Sequence, residues 1–140
     1  MNRFQNLFQL IKNSDDNTFI KESNYSKRVK DEFIVLRLKS SNQDYDINIM
    51  VWKKVFTECG IFQVSGHMAN QSFRVFFIVD NDDINLFDFS NKESCKTLYD
   101  KNHRFLEIKE DNLDTREKIY RDTKQLTNKF KQKFLNKKYE

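Results

Sequence analysis

Two acidic side chains and a lysine in the second half of the chain are of the types that metal-dependent phosphodiester cleavage uses. Glu107 and Lys109 form an E-x-K pattern, and Asp88 lies on the preceding predicted strand. Two carboxylates would hold Mg²⁺, and the lysine would stabilise the charge that develops on a phosphate. The pattern arises by chance in any chain rich in Lys and Glu, so a Mg²⁺-dependent nuclease is our second alternative.

Positive charge is concentrated at the C-terminal end of the chain. Residues 116–140 hold nine Lys or Arg against three acids, a net charge of +6, whereas the whole chain carries +4 and residues 1–115 therefore carry −2. Such a segment suits a polyanion, an acidic protein surface or a partner helix. The candidate binding residues of this segment are Lys124, Lys129, Lys131, Lys133, Lys137 and Lys138.

The same segment has the period of an amphipathic helix. Asp114 and Glu117 form a capping box, which predicts a long basic helix over 114–139. Its apolar stripe consists of Ile119, Leu126, Phe130 and Phe134. This stripe predicts either packing on the domain's own sheet or a homodimer through the C-terminal helix.

Residues 47–68 contribute a second group of candidate binding residues. A predicted strand ends at Trp52, two lysines follow, and the next strand runs into Gly66. This stretch resembles the middle of an OB-fold barrel, where glycine permits the sharp bend of a small barrel. The resemblance implies that strand aromatics stack on bases while nearby cations contact phosphates; otherwise the aromatics are core and the lysines are solvated. The residues concerned are Trp52, Lys53, Lys54, Phe62, Arg74 and Phe76.

Hydrophobic periodicity predicts the elements that must position these residues. A short helix begins the chain, and Ser23 to Lys30 would form a second one that carries a basic cluster. Period-two alternation predicts the strands, which cover residues 34–38, 45–52, 61–68, 72–79, 84–89 and 104–109. No crossover helix fits between them. We therefore predict an α+β fold with a mainly antiparallel sheet of five or six strands, OB-like if it closes.

Composition indicates one domain with a real core. The chain has 140 residues, of which 38% are hydrophobic and 14 are Phe. We divide the single domain 1–140 into a helical N-terminal segment 1–31, a sheet 32–110 and the C-terminal helix 114–139. No apolar run is long enough to cross a membrane, and the N-terminus is too polar for a signal peptide.

The cysteines predict a location and the remaining composition predicts a source. Cys59 and Cys95 stand apart from each other and from any histidine cluster, so we expect free, reduced thiols in a cytoplasmic protein without metal or cofactor. Abundant Lys, Asn, Ile, Phe and Tyr indicate A/T-rich codons. A phage, plasmid or other mobile element of an AT-rich bacterium fits that usage.

No residue pattern names a reaction, so the leading expectation is a non-catalytic binding protein. Its partner would be nucleic acid or a nucleic-acid-processing assembly, and no membrane is expected. The first alternative is a protein-directed inhibitor or adaptor acting on a host defence or replication enzyme. In that alternative the acidic turn 80–83, with Asp44 and Asp46, would mimic phosphates in the partner's nucleic-acid groove.

Overall fold

Six antiparallel strands form one open sheet in the described part of the chain. The computed structural model describes residues 2–14, 18–39, 46–68, 71–87 and 113–136. In chain order, the elements in these ranges are α1 Arg3–Asn13, β1 Phe19–Ser26, β2 Asp31–Leu38, β3 Asp46–Trp52, α2 Lys53–Cys59, β4 Ile61–Met68, β5 Gln71–Asp80, β6 Asp83–Leu86 and α3 Leu113–Phe130. The predicted α+β class is confirmed.

The spatial order of the strands follows the sequence, so the sheet is a meander with β1 and β6 at its edges. Every neighbouring pair is antiparallel, as short connections permit. In an OB-fold barrel the sheet closes, so its first strand pairs with a second strand in addition to its neighbour in the sequence. Among the described strands β1 pairs with β2 alone, so the OB-like barrel is not confirmed.

The N-terminal segment differs from the prediction. Helix α1 is where the pattern predicts it, but Phe19–Ser26 is a strand and not part of a second helix. Only Phe19 of that strand is buried, because an edge strand has few neighbours to cover it. The predicted strand 104–109 lies outside the described residues.

Helix α1 is fixed at both ends by hydrogen bonds. Asn2 accepts from the backbone N–H of Gln5, whose side chain accepts in return from the N–H of Asn2, a capping box. At the other end, the ammonium of Lys21 on β1 donates to the carbonyls of Ile11, Lys12 and Ser14. These bonds satisfy the orphan carbonyls of the last turn and hold the end of α1 beside the edge strand.

The core lies between one face of the sheet and the helices α1 and α3. Leu126 and Phe130 are fully buried, and Phe134 is nearly so. Phe130 stacks on Phe62 of β4, with ring centroids 4.9 Å apart. The described part of the stripe therefore packs in the domain's own core, and these three side chains are not available for a homodimer. Phe62, 1% exposed, cannot stack on a base.

Helix α3 ends earlier than predicted. It begins at Leu113, so Asp114 is inside the helix, and Phe130 is followed by a π-helical turn, Lys131–Leu135. The N–H of Asn136 closes this turn on the carbonyl of Lys131. An extension to residue 139 is not confirmed, since residues 137–140 lie outside the described ranges.

Each of the two glycines has a structural role: Gly60 ends a helix, and Gly66 permits close packing between strands. Gly60 ends α2 in the left-handed region, with φ 74°, where glycine has no steric penalty. Gly66 pairs with Phe73 across β4 and β5, and a Cβ at Gly66 would collide with that ring. Gly66 therefore makes room for Phe73 to lie across the strand, a role different from the barrel bend that the sequence suggested.

Candidate functional site

A basic cleft opens where the β1–β2 turn meets the end of α1 and the start of α2. Its volume is about 720 Å³. The charged side chains that line it define what we call the hairpin cleft: Lys12, Lys30, Asp31, Glu32, Lys53 and Lys54. Four cations against two acids give the hairpin cleft a net charge of +2. Lys27 and Arg28, both exposed in the adjoining turn, raise the local charge to +4.

The turn and the start of α2 are held together by Asp31. Its carboxylate, 6% exposed, accepts a hydrogen bond from the backbone N–H of Lys54 at 3.1 Å. The preceding residue, Lys30, has a positive φ of 58°, which lets the turn close with a bond from its N–H to the carbonyl of Ser26. Asp31 thus holds the backbone of Lys54 close to the turn that contains Lys30.

Glu32 joins two of the lysines across the floor of the hairpin cleft. One carboxylate oxygen lies 2.9 Å from the ammonium of Lys53, and the other lies 3.0 Å from that of Lys12. The hydrogen bond from Lys53, and then that from Lys12, lowers the pKa of the Glu32 carboxyl below its ordinary value. The carboxylate is therefore ionised at neutral pH and neutralises part of the charge that the lysines supply.

An exposed aromatic ring stands beside this ion pair. Tyr25 on β1 is opposite Glu32 on β2 in the strand register, so both side chains lie on the same face of the sheet. Tyr25 lines the hairpin cleft and is 62% exposed. Ser23, two residues before Tyr25 on the same face of β1, adds a polar side chain to the lining.

Of the predicted sheet residues, Lys53 and Lys54 meet in the hairpin cleft, whereas Trp52 and Arg74 do not line it. The ring of Trp52 packs on Phe33, with centroids 4.4 Å apart. Phe33 follows Glu32 on β2, so this aromatic pair lies on the opposite face of the sheet. Arg74 is on that opposite face too, two strands further along. Phe76, 6% exposed, is buried there and is not a stacking surface.

Three residues that line the hairpin cleft, Lys12, Glu32 and Tyr25, are not among the site residues that the sequence predicts. The signal that could have found the location is the basic cluster of the β1–β2 turn, which the sequence shows at residues 27–30. Lys12 could not be found this way, because only the path of α1 brings it to Glu32.

The lysines of α3 lie elsewhere. Lys124 and Lys129 are exposed. Lys131 is 3.0 Å from Asp83 in the β5–β6 turn, and that turn also contacts Arg3 at the start of α1. Lys12 is at the opposite end of α1, nine residues or about 14 Å away. Lys133 is half-buried and also interacts within the fold; Lys137 and Lys138 are outside the described residues.

Three of the acidic groups expected to mimic phosphates, Asp46, Asp82 and Asp83, have cationic partners. Asp83 pairs with Lys131, whose hydrogen bond, together with that of the backbone N–H of Ile84, lowers the pKa of the aspartate. Asp82 lies 3.7 Å from Arg3, and Asp46 lies 2.9 Å from Arg37. Within the described ranges these carboxylates are balanced inside the fold, which weakens the inhibitor alternative. Asp44 is outside those ranges.

The nuclease candidates Asp88, Glu107 and Lys109 are not among the described residues, so that alternative stays a prediction. Where the structure is described, no group of three His, Cys, Asp or Glu could hold a metal ion. Cys59 is disulfide-bonded, and the prediction of a free thiol is wrong for it. Disulfides persist mainly in oxidising compartments, so Cys59 gives no support to the predicted cytoplasmic location.

Comparison with known proteins gives no relative. No protein-family model, curated protein or solved structure matches the chain. Among the described helices, none is both long enough and apolar enough to cross a membrane. The function must therefore be argued from the hairpin cleft itself.

Proposed function

We propose that this protein is a small non-catalytic binding protein that holds nucleic acid, alone or in a nucleic-acid-processing assembly, in the hairpin cleft. The clustering of four lysines around one concave surface supports this proposal most directly. The abundance of residues with A/T-rich codons further favours a phage, plasmid or other mobile element of an AT-rich bacterium as its source.

The mechanism is electrostatic capture. Lysine ammonium groups near a phosphate backbone release condensed counterions, and that release drives binding. Lys30 and Lys54 are exposed, while Lys12 and Lys53 share Glu32. An entering phosphate therefore meets two available cations first and then competes with one carboxylate for the other two. Exposed cations of α3, Lys124 and Lys129, form the competing surface.

The test is a titration of fluorescent single- and double-stranded oligonucleotides at low and high salt. With a net charge of +2 to +4 around the hairpin cleft, the affinity for a single strand should fall about 7- to 50-fold between 50 and 200 mM salt. Absence of binding at low salt would remove the proposal and leave the protein-directed inhibitor or adaptor.

Two matched double variants locate the surface. Replacing Lys53 and Lys54 by Ala should lower the salt slope by about 1.4, at about 0.7 per phosphate contact. Replacing Lys124 and Lys129 by Ala removes the same charge from α3 and should change the slope less. A larger loss from the α3 variant would transfer the binding surface to the helix.

A further inference from the structure

The environment of Tyr25 carries an inference that rests on the proposed function and specifies its ligand. We infer that the hairpin cleft takes single-stranded nucleic acid, with one base stacked on the Tyr25 ring. Because Tyr25 is 62% exposed, a flat base can cover its ring without displacing other protein groups from it. Base stacking on aromatic side chains is the usual way in which proteins hold single strands without reading sequence.

Tyr25 and the two lysines bound to Glu32 line the same cleft. Tyr25 is the cross-strand partner of Glu32, so their Cβ atoms are about 5 Å apart. The two ammonium groups bound to Glu32, those of Lys12 and Lys53, therefore belong to the same cleft as Tyr25. A base on Tyr25 thus places its sugar-phosphate within reach of ammonium groups on the same side of the sheet.

The position of Tyr25 at the sheet edge gives a strand access. Strand β1 pairs with β2 alone in the described part of the sheet, and its residues 22–25 are all exposed. Ser23 lines the hairpin cleft on the same face as Tyr25 and supplies a hydroxyl group for sugar and phosphate oxygens. An extended chain can therefore lie along this edge and turn one base toward the ring.

A duplex fits this surface poorly. Bases inside a duplex are stacked on each other, so their faces cannot cover an aromatic side chain. A β-ribbon that enters the major groove must project from the protein. The β1–β2 hairpin does not project as a ribbon, because β2 is itself paired with β3. The surface is also concave, which suits a flexible strand.

The experiment compares three tyrosine variants on a labelled oligothymidylate and on a duplex of equal length. Tyr25→Ala should weaken binding of the single strand about 5- to 150-fold, while Tyr25→Phe, which keeps the ring, should bind as the wild type does. The salt slope should not change, because the ring carries no charge. Tyr120→Ala is the matched control, since Tyr120 is 63% exposed on α3 and is not among the residues that line the hairpin cleft.

The outcomes separate the inference from the proposed function. Tighter binding of the single strand than of the duplex, lost in Tyr25→Ala and kept in Tyr120→Ala, supports the inference. Equal or tighter duplex binding, or equal affinities of the two alanine variants, overturns it while the hairpin cleft still binds nucleic acid. A wild-type protein that binds neither oligonucleotide overturns both.

Discussion

Glu32 should weaken polyanion binding while it stabilises the fold, so Glu32→Gln separates the two properties. Both carboxylate oxygens hold lysine ammonium groups, at 2.9 and 3.0 Å. The amide of Gln keeps the size of the side chain and removes its charge. The net charge of the hairpin cleft then rises from +2 to +3, and Lys12 and Lys53 lose the anion that competes with a phosphate.

The magnitude follows from one added charge beside a phosphate. At about 4 Å in water, a unit charge contributes about 1 kcal/mol, or about fivefold in affinity at low salt. The slope of log affinity against log salt should steepen by about 0.7, the value for one more phosphate contact with a single strand. Fluorescence anisotropy at two or more salt concentrations measures both quantities.

Stability should change in the opposite direction. The three side chains are 24% to 44% exposed, so solvent screens the ion pairs and Glu32→Gln should cost about 1 kcal/mol or less. The pKa of Glu32 in the fold is below its ordinary value of 4.5. The pairs therefore stabilise the fold above that value and stop doing so as the pH falls through the lowered pKa. Urea unfolding of the variant should depend less on pH in this acidic range.

Glu22→Gln is the control, because it makes the same change in net charge on the other face of the sheet. Glu22 is 57% exposed and lies 3.9 Å from Arg37. If Glu22→Gln raised the affinity as much as Glu32→Gln, the effect would come from overall charge. If a folded Glu32→Gln protein bound no tighter than the wild type, the reasoning on the hairpin cleft would be refuted.

Two further predictions concern the fold. Gly66→Ala should lower the free energy of unfolding by about 1–3 kcal/mol, because the added Cβ meets the Phe73 ring. Urea unfolding of Gly66→Ala combined with Phe73→Leu should show that part of this loss is recovered. Additive losses from the two substitutions would contradict this explanation. Reduction should lower the urea midpoint by the equivalent of about 2–4 kcal/mol, since Cys59 is disulfide-bonded, whereas Cys59→Ser should not respond to reductant. A thiol assay that finds Cys59 free in the air-oxidised wild type would contradict the second.

The sequence predicts those strands whose two faces differ. Strand β3 alternates Ile47, Ile49 and Val51, all buried, with more polar neighbours, and its period is evident. Strand β1 has no such pattern, because as an edge strand it buries only Phe19 and its other positions face solvent or the end of α1. Tertiary pairing with β2, which no local pattern reveals, decides its conformation.

The site was predicted only as far as its residues are neighbours in the chain. Lys53 and Lys54 were identified because they follow a strand directly. Lys12 reaches the same cleft from 41 positions earlier, since α1 crosses to the β1 edge and Lys21 holds its last turn there. Lys131, which the charge count includes among the candidate binding residues, pairs with Asp83 at the start of β6, 48 positions earlier, and no local pattern indicates that contact.

The disulfide of Cys59 makes the predicted cytoplasmic location open to a direct experiment. Disulfides persist in oxidising compartments, whereas the cytoplasm keeps most thiols reduced. A chain that retains its urea midpoint and its oligonucleotide affinity in reductant can bind nucleic acid in the cytoplasm, with Cys59 reduced. A chain that unfolds in reductant must meet its polyanion in an oxidising compartment. Repeating the oligonucleotide titration in reductant therefore tests whether the fold and the proposed binding are compatible with the predicted cytoplasmic location.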